Sequence, residues 1–97
     1  MVTLDDYVTD VLMRDLIGHD KRPVAFLVYL WLAAEEQRRG RPVQISYQDL
    51  AESIGVSRSS AQTGVNWLLR RKLLEAARTS VTATPAYRAL TPWQRRN

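Results

Sequence analysis

Tyr47-Gln48-Asp49-Leu50-Ala51-Glu52-Ser53-Ile54-Gly55-Val56-Ser57-Arg58-Ser59-Ser60 is the stretch on which the reading of this chain turns. Ser46, immediately before it, carries a side-chain oxygen that can cap a helix, and Asp49 three positions on makes an approximate capping box. The helix that follows, Tyr47–Ile54, buries Leu50, Ala51 and Ile54. Gly55-Val56-Ser57 then forms a corner, because glycine accepts the left-handed backbone that ends a helix. Ser57 caps a second helix over about Arg58–Lys72, whose apolar positions Ala61, Gly64, Val65, Leu68 and Leu69 recur at helical spacing. Ala51 is small enough for the two helices to pack closely, with Leu50, Val56, Ala61 and Val65 filling the space between them. The pattern is a helix-turn-helix.

Downstream, Leu73–Arg78 and Ala86–Leu90 read as two strands of a hairpin joined by the polar, threonine-rich Thr79–Pro85. Upstream, Pro42-Val43-Gln44-Ile45 alternates apolar with polar and predicts a short strand. Before it, Pro23 opens an apolar helix that runs through Ala34 and ends in Arg38-Arg39-Gly40, with basic residues and a glycine suited to a helix C-terminus. This helix is apolar on nearly every side and must be covered on more than one face. The core covers one side, and the first helix or a second subunit the other, which predicts a homodimer. The first segment, Leu4–Ile17, places Leu4, Val8, Val11, Leu12 and Leu16 on one helical face, with Gly18 as its stop. The expected fold is mainly α with a small β-hairpin, in one domain over residues 1–97. Residues 1–18 form an extra N-terminal helix and candidate dimerisation element, 23–92 the core and 93–97 a basic tail containing Arg95 and Arg96.

The 97 residues are 45% hydrophobic and 25% charged, the balance of a folded protein and not of a disordered one. There is no cysteine, which excludes disulfides and thiolate metal sites. Asp5, Asp6 and Asp10 stand where a signal peptide would carry its bases, and the apolar run Val24–Ala34 is too short to span a bilayer. A cytoplasmic protein without a membrane anchor is expected. Charge is uneven: residues 1–20 hold five acids against one base, whereas residues 57–97 hold eight bases against one acid. Such a gradient suits a polyanion partner, though a solvated basic face accounts for the charge equally well.

The segment 47–60, with Leu50-Ala51, Gly55-Val56-Ser57-Arg58-Ser59 and the closing Leu73-Leu74, resembles the winged helix-turn-helix domains of bacterial regulators. It is most similar to the GntR-type group and to the winged helices of replication initiators, over about residues 43–90. The resemblance implies a winged helix-turn-helix fold with a three-helix core, a short strand and a two-stranded wing. It also implies that helix 58–72 enters the DNA major groove and that the hairpin touches the backbone or minor groove. Lys72 stands where such domains usually carry glycine, and Tyr47-Gln48 where the GntR-type group tends to carry a base.

The residue chemistry points the same way independently. With Ala61, Gly64, Val65 and Leu68 inward, Arg58, Ser59, Gln62, Thr63 and Asn66 face outward. Arginine can read guanine, and glutamine or asparagine adenine, through paired hydrogen bonds. Ser57, Ser59 and Ser60 lie at a helix N-terminus, where phosphate is favoured. No acid occurs from Ser57 to Leu74. The expected DNA-binding set is Ser46, Tyr47, Ser57, Arg58, Ser59, Ser60, Gln62, Thr63, Asn66, Arg70, Arg78, Thr79 and Ser80. Thr82 and Thr84 are further ligands at the wing, while Arg70, Arg71 and Lys72 also suit the dipole of their helix end.

No nucleophile with its base, metal-ligand cluster or phosphate loop is recognisable, so catalysis, a cofactor and a metal are not expected. His19, the only histidine, is expected in a loop without partners. Trp31, Trp67 and Trp93 read as core in preference to an effector pocket, with Trp67 also placed to cover the wing or an interface. The expected function is transcriptional regulation in a prokaryote, with duplex DNA as partner and no small-molecule effector. The alternatives are a replication or partition initiator and a winged helix turned to protein association.

Overall fold

The computed structural model describes residues 1–94. In chain order the elements are α1 (6–19), α2 (Pro23–Arg39), β1 (Val43–Gln44), α3 (Tyr47–Ile54), α4 (Arg58–Arg70), β2 (Leu74–Ala77) and β3 (Ala86–Ala89). The architecture is mainly helical with a small three-stranded antiparallel sheet in the order β1-β3-β2. Among the described residues no helix is long and apolar enough to cross a membrane.

The apolar helix α2 is the hub. It buries Ala25, Phe26, Val28, Tyr29 and Leu32, and full burial of a large apolar side chain stabilises by about 1.5–3 kcal/mol. Its coverings come from within the chain: α1 and α4 pack on it, and β3 lies across its second half. Two polar clamps hold that strand: the Tyr29 hydroxyl donates to the Leu90 carbonyl at 2.8 Å, and Glu36 Oε1 accepts from the Ala89 N–H at 2.8 Å. Gly40 ends the helix in the left-handed conformation, φ 68°, as expected of its position.

Helix α1 departs from its expected form. It starts two residues later than Leu4, after Asp5 Oδ1 accepts the Tyr7 N–H at 2.9 Å, and it passes through Gly18 to His19. Two stretches, Val8–Leu12 and Asp15–His19, are wound as wide π turns, in which a backbone N–H reaches the carbonyl five residues back. The wider winding brings positions four apart into register, so Val8, Leu12 and Leu16 are buried. Leu4 and Val11, expected on the same stripe, are 45% and 37% exposed. The stop comes from Lys21, whose φ is +57°, followed by Pro23 at the start of α2. The buried face of α1 thus completes this chain's own core.

The corner between α3 and α4 follows the sequence closely. Ser46 Oγ accepts from the Asp49 N–H and Ser57 Oγ from the Ser60 N–H, each at 3.1 Å. Between the helices, Gly55 has φ 90°, and both its N–H and that of Val56 reach the Ala51 carbonyl. Ala61, Gly64, Val65 and Leu68 are buried as expected, whereas Ile54 and Leu69 are only half-buried. Gly64 permits the close approach of α4 to α2: a Cβ there would meet Val28 Cγ2 at 3.2 Å and the Ala25 Cα at 3.4 Å.

Helix α4 ends at Arg70 and not at Lys72, because Lys72 adopts the left-handed conformation, φ 59°. The Leu73 N–H then closes on the Leu68 carbonyl at 2.9 Å. A lysine therefore occupies a backbone state that favours glycine. The strands after it are shorter than expected, with Leu74 paired to Ala89 and Ala76 to Tyr87, while Val43 of β1 pairs with Tyr87 from the other side.

Candidate nucleic-acid interface

The inward set on α4 determines what faces out. Ser59, Thr63, Asn66 and Arg70 follow one another at spacings of four, three and four, and all are exposed. They form a straight stripe opposite the buried face. Gln62, expected in the same row, is half-buried and belongs to one flank. On that flank lie Arg58 and the half-buried Tyr47, with the guanidinium carbon 5.9 Å from the centre of the ring. Tyr47 in turn neighbours the buried Tyr87, whose phenol is pushed well up, chiefly by burial and further by Tyr47.

The serines at the start of α4 are more occupied than expected. The Ser57 hydroxyl caps the helix and donates to Ser60 Oγ at 2.8 Å, and Ser60 is half-buried. Ser59 is exposed, with its Oγ 3.3 Å from that of Ser57. Ser46 is likewise engaged as a cap. These capping bonds place the helices and leave Ser59 and Thr63 as the outward hydroxyls of the stripe.

In the hairpin, Arg78, Thr79 and Ser80 are exposed, as are Thr82 and Thr84. The Arg78 guanidinium donates to the Val81 carbonyl at 3.3 Å, and Val81 at the tip is 90% exposed.

The cations of this surface and its surroundings differ in their pairing. Arg38 and Arg39 pair with Glu35, Arg88 with Glu36, and Arg71 with Asp15 and Asp20. Arg58, Arg70 and Arg78 have no salt-bridge partner among the described residues. Arg71 is thus a structural residue at its helix end, whereas Arg58 and Arg70 beside the stripe and Arg78 on the hairpin are among the cations left without an ion pair among the described residues.

The network around Arg71 corrects one expectation, that of His19. Trp67 is half-buried against the core and lies at the end of α1, where its indole N–H donates to Asp20 Oδ2 at 2.9 Å. His19 closes α1 and has acidic neighbours, its Nδ1 standing 2.8 Å from Asp20 Oδ1 and 3.9 Å from Asp15. Burial pushes the Asp20 carboxyl up, but hydrogen bonds from His19 and Trp67 and the Arg71 charge outweigh it and hold the group below the usual carboxylate range. Asp15, His19 and Asp20 bring ligand atoms within 4.8 Å of one another. Arg71 already neutralises both carboxylates, so the cluster has the chemistry of a compensated ion network.

Trp93 and Gln94, assigned to a basic tail, are docked. The Trp93 ring stacks on Tyr7 at 4.4 Å, and Trp93 Nε1 and Gln94 Nε2 both donate to Asp5 Oδ2. Arg95 and Arg96 lie outside the described residues.

Sequence reasoning passes over Lys21 and Arg22, which border the α4 stripe on the side opposite Arg58. The available signal was a pair of bases just before Pro23, where the start of a helix favours acids. Comparison with protein-family models, with curated proteins and with solved structures gives no match for this chain.

Proposed function

We propose that this chain is a DNA-binding protein of the winged helix-turn-helix class, with α4 as the major-groove reading helix and the β2–β3 hairpin as the wing. Within that class we read it as a prokaryotic transcriptional regulator, on the resemblance of residues 47–60 to such domains. The observation that carries DNA binding is the exposed, acid-free stripe Ser59, Thr63, Asn66 and Arg70, flanked by Arg58 and with the unpaired Arg78 on the hairpin. A helix of about this width fits the major groove, and asparagine, glutamine and arginine are the side chains that discriminate base edges there. An adaptor surface used only for protein association has no need to exclude acids from the whole of α4.

Self-association belongs to the same proposal. The outer face of α1 leaves Val11, Met13 and Ile17 partly exposed, and α2 leaves Leu27, which is apolar surface for a second copy. A monomer by sedimentation at high micromolar concentration overturns this part alone.

The test of DNA binding is titration of duplex DNA over a salt series. Neutralisation of about five phosphates gives a log–log slope near −4 to −5. Absence of binding even at low salt overturns the proposal in favour of the adaptor.

A further inference from the structure

We infer that Lys21 and Arg22, with the Ser59–Thr63 edge of α4, form a second grip on the duplex that takes a backbone phosphate beside the reading helix. This inference rests on the DNA-binding reading and extends it to a part of the chain outside the helix-turn-helix.

The charge of the surface reverses at this point. Residues 1–20 are acidic, with five acids against one base. The last two of those acids, however, are turned to other work: Asp15 and Asp20 both pair with Arg71, and Asp20 also accepts from Trp67. Lys21 and Arg22 follow immediately, are exposed, and have no salt-bridge partner among the described residues. The connection from the acidic helix α1 to α2 thus presents two uncompensated cations beside α4.

Arg22 is positioned by α4 itself. Its guanidinium carbon lies 4.5 Å from the centre of the Trp67 ring, and that of Arg70 lies 5.7 Å from the same ring. Stacking on an indole orients a guanidinium while leaving its edge N–H groups available. Trp67 is in turn held by Asp20, so a short chain of contacts sets the cation against the helix.

Between these bases and α4 is a cleft of about 250 Å³, bordered by the Ser59, Ser60 and Thr63 side of the helix. It is several times a water's share of liquid volume, about 30 Å³, and takes a phosphate group with part of its hydration. Ser59 and Thr63 belong both to the cleft and to the exposed stripe. A duplex seated on the stripe therefore brings one backbone toward Lys21 and Arg22 and the other toward Arg58, since phosphates line both rims of the groove.

The experiment is duplex titration over a salt series with the full chain, Lys21→Gly and the double variant Lys21→Gln/Arg22→Gln. Lys21→Gly removes the charge while relieving a left-handed lysine, φ +57°, so its fold is retained. The expected result is a slope shallower by about one for the double variant, in which the phosphate loses both cations, and by a part of that for Lys21→Gly. Affinity falls by about tenfold or more for the double variant, equally on unrelated duplex sequences. Unchanged slope and affinity in both variants, with the unmodified chain binding DNA, overturns the inference and leaves the DNA-binding reading standing. Failure of the unmodified chain to bind any duplex at low salt overturns both.

Discussion

The Trp67 indole donates to Asp20 Oδ2 at 2.9 Å across 47 residues of sequence, fastening the last turns of α4 to the end of α1. The same carboxylate pairs with Arg71, and its side chain is only 4% exposed. The N-terminal helix is therefore part of what orients α4, and the outward direction of Asn66 and Arg70 depends on it.

Asp20→Asn is expected to lower stability by about 2 kcal/mol, because it leaves Arg71 and Trp67 facing a neutral amide in a mostly buried position. The pH dependence has a definite sign. A carboxyl held below its ordinary value in the folded state stabilises the fold above the unfolded-state pKa of about 4, and that contribution is lost as pH falls through the folded value. Urea denaturation between neutral and strongly acid pH should show a shallower acid loss in the variant than in the unmodified chain.

Lys72→Gly is expected to stabilise. The left-handed backbone at φ 59° costs a side chain about 1–2 kcal/mol, and the extra chain entropy of glycine returns about 0.5–1 kcal/mol of that. The net gain is about 0.5–1 kcal/mol, seen in a thermal melt as a rise in Tm of a few degrees.

Gly64→Val is expected to destabilise by about 2 kcal/mol or more, since a Cβ at this position already meets the buried Val28 at 3.2 Å and the Ala25 backbone at 3.4 Å. Its denaturation midpoint should fall well below that of Thr63→Val, which adds no bulk at the α2–α4 contact.

Asn66→Ala is expected to relax base preference at one or two positions of a bound site while leaving affinity for unrelated duplexes nearly unchanged. Gln62→Ala should do so more weakly, because Gln62 is half-buried at the flank and Asn66 exposed on the stripe. Arg78→Ala should weaken all sequences alike, as removal of a phosphate contact does. Selection from a random duplex pool, followed by titration of each variant, separates these outcomes; uniform loss from all three removes the assigned reading roles.

The sequence by itself determined the elements whose cause is local. Ser46 and Ser57 bond N–H groups three residues away, Gly55 supplies the left-handed corner, and Ala61, Gly64, Val65 and Leu68 mark the inner face of α4. Pro23 and Gly40 bound α2 for the same reason. These signals act within a turn of helix and need no partner elsewhere. The tertiary structure alone decided what depends on distant groups. Val8, Leu12 and Leu16 were legible as one apolar face, but the widened turns of α1 leave Val11 off that face, and helical spacing could not announce that winding. Arg70 and Arg71 are adjacent bases with the same local signal. One faces outward over Trp67, and the other is consumed by Asp15 and Asp20, 56 and 51 residues away. Lys21 and Arg22 acquire their place beside α4 in the same manner, because a pair of charges takes its meaning from whichever surface folding brings against it.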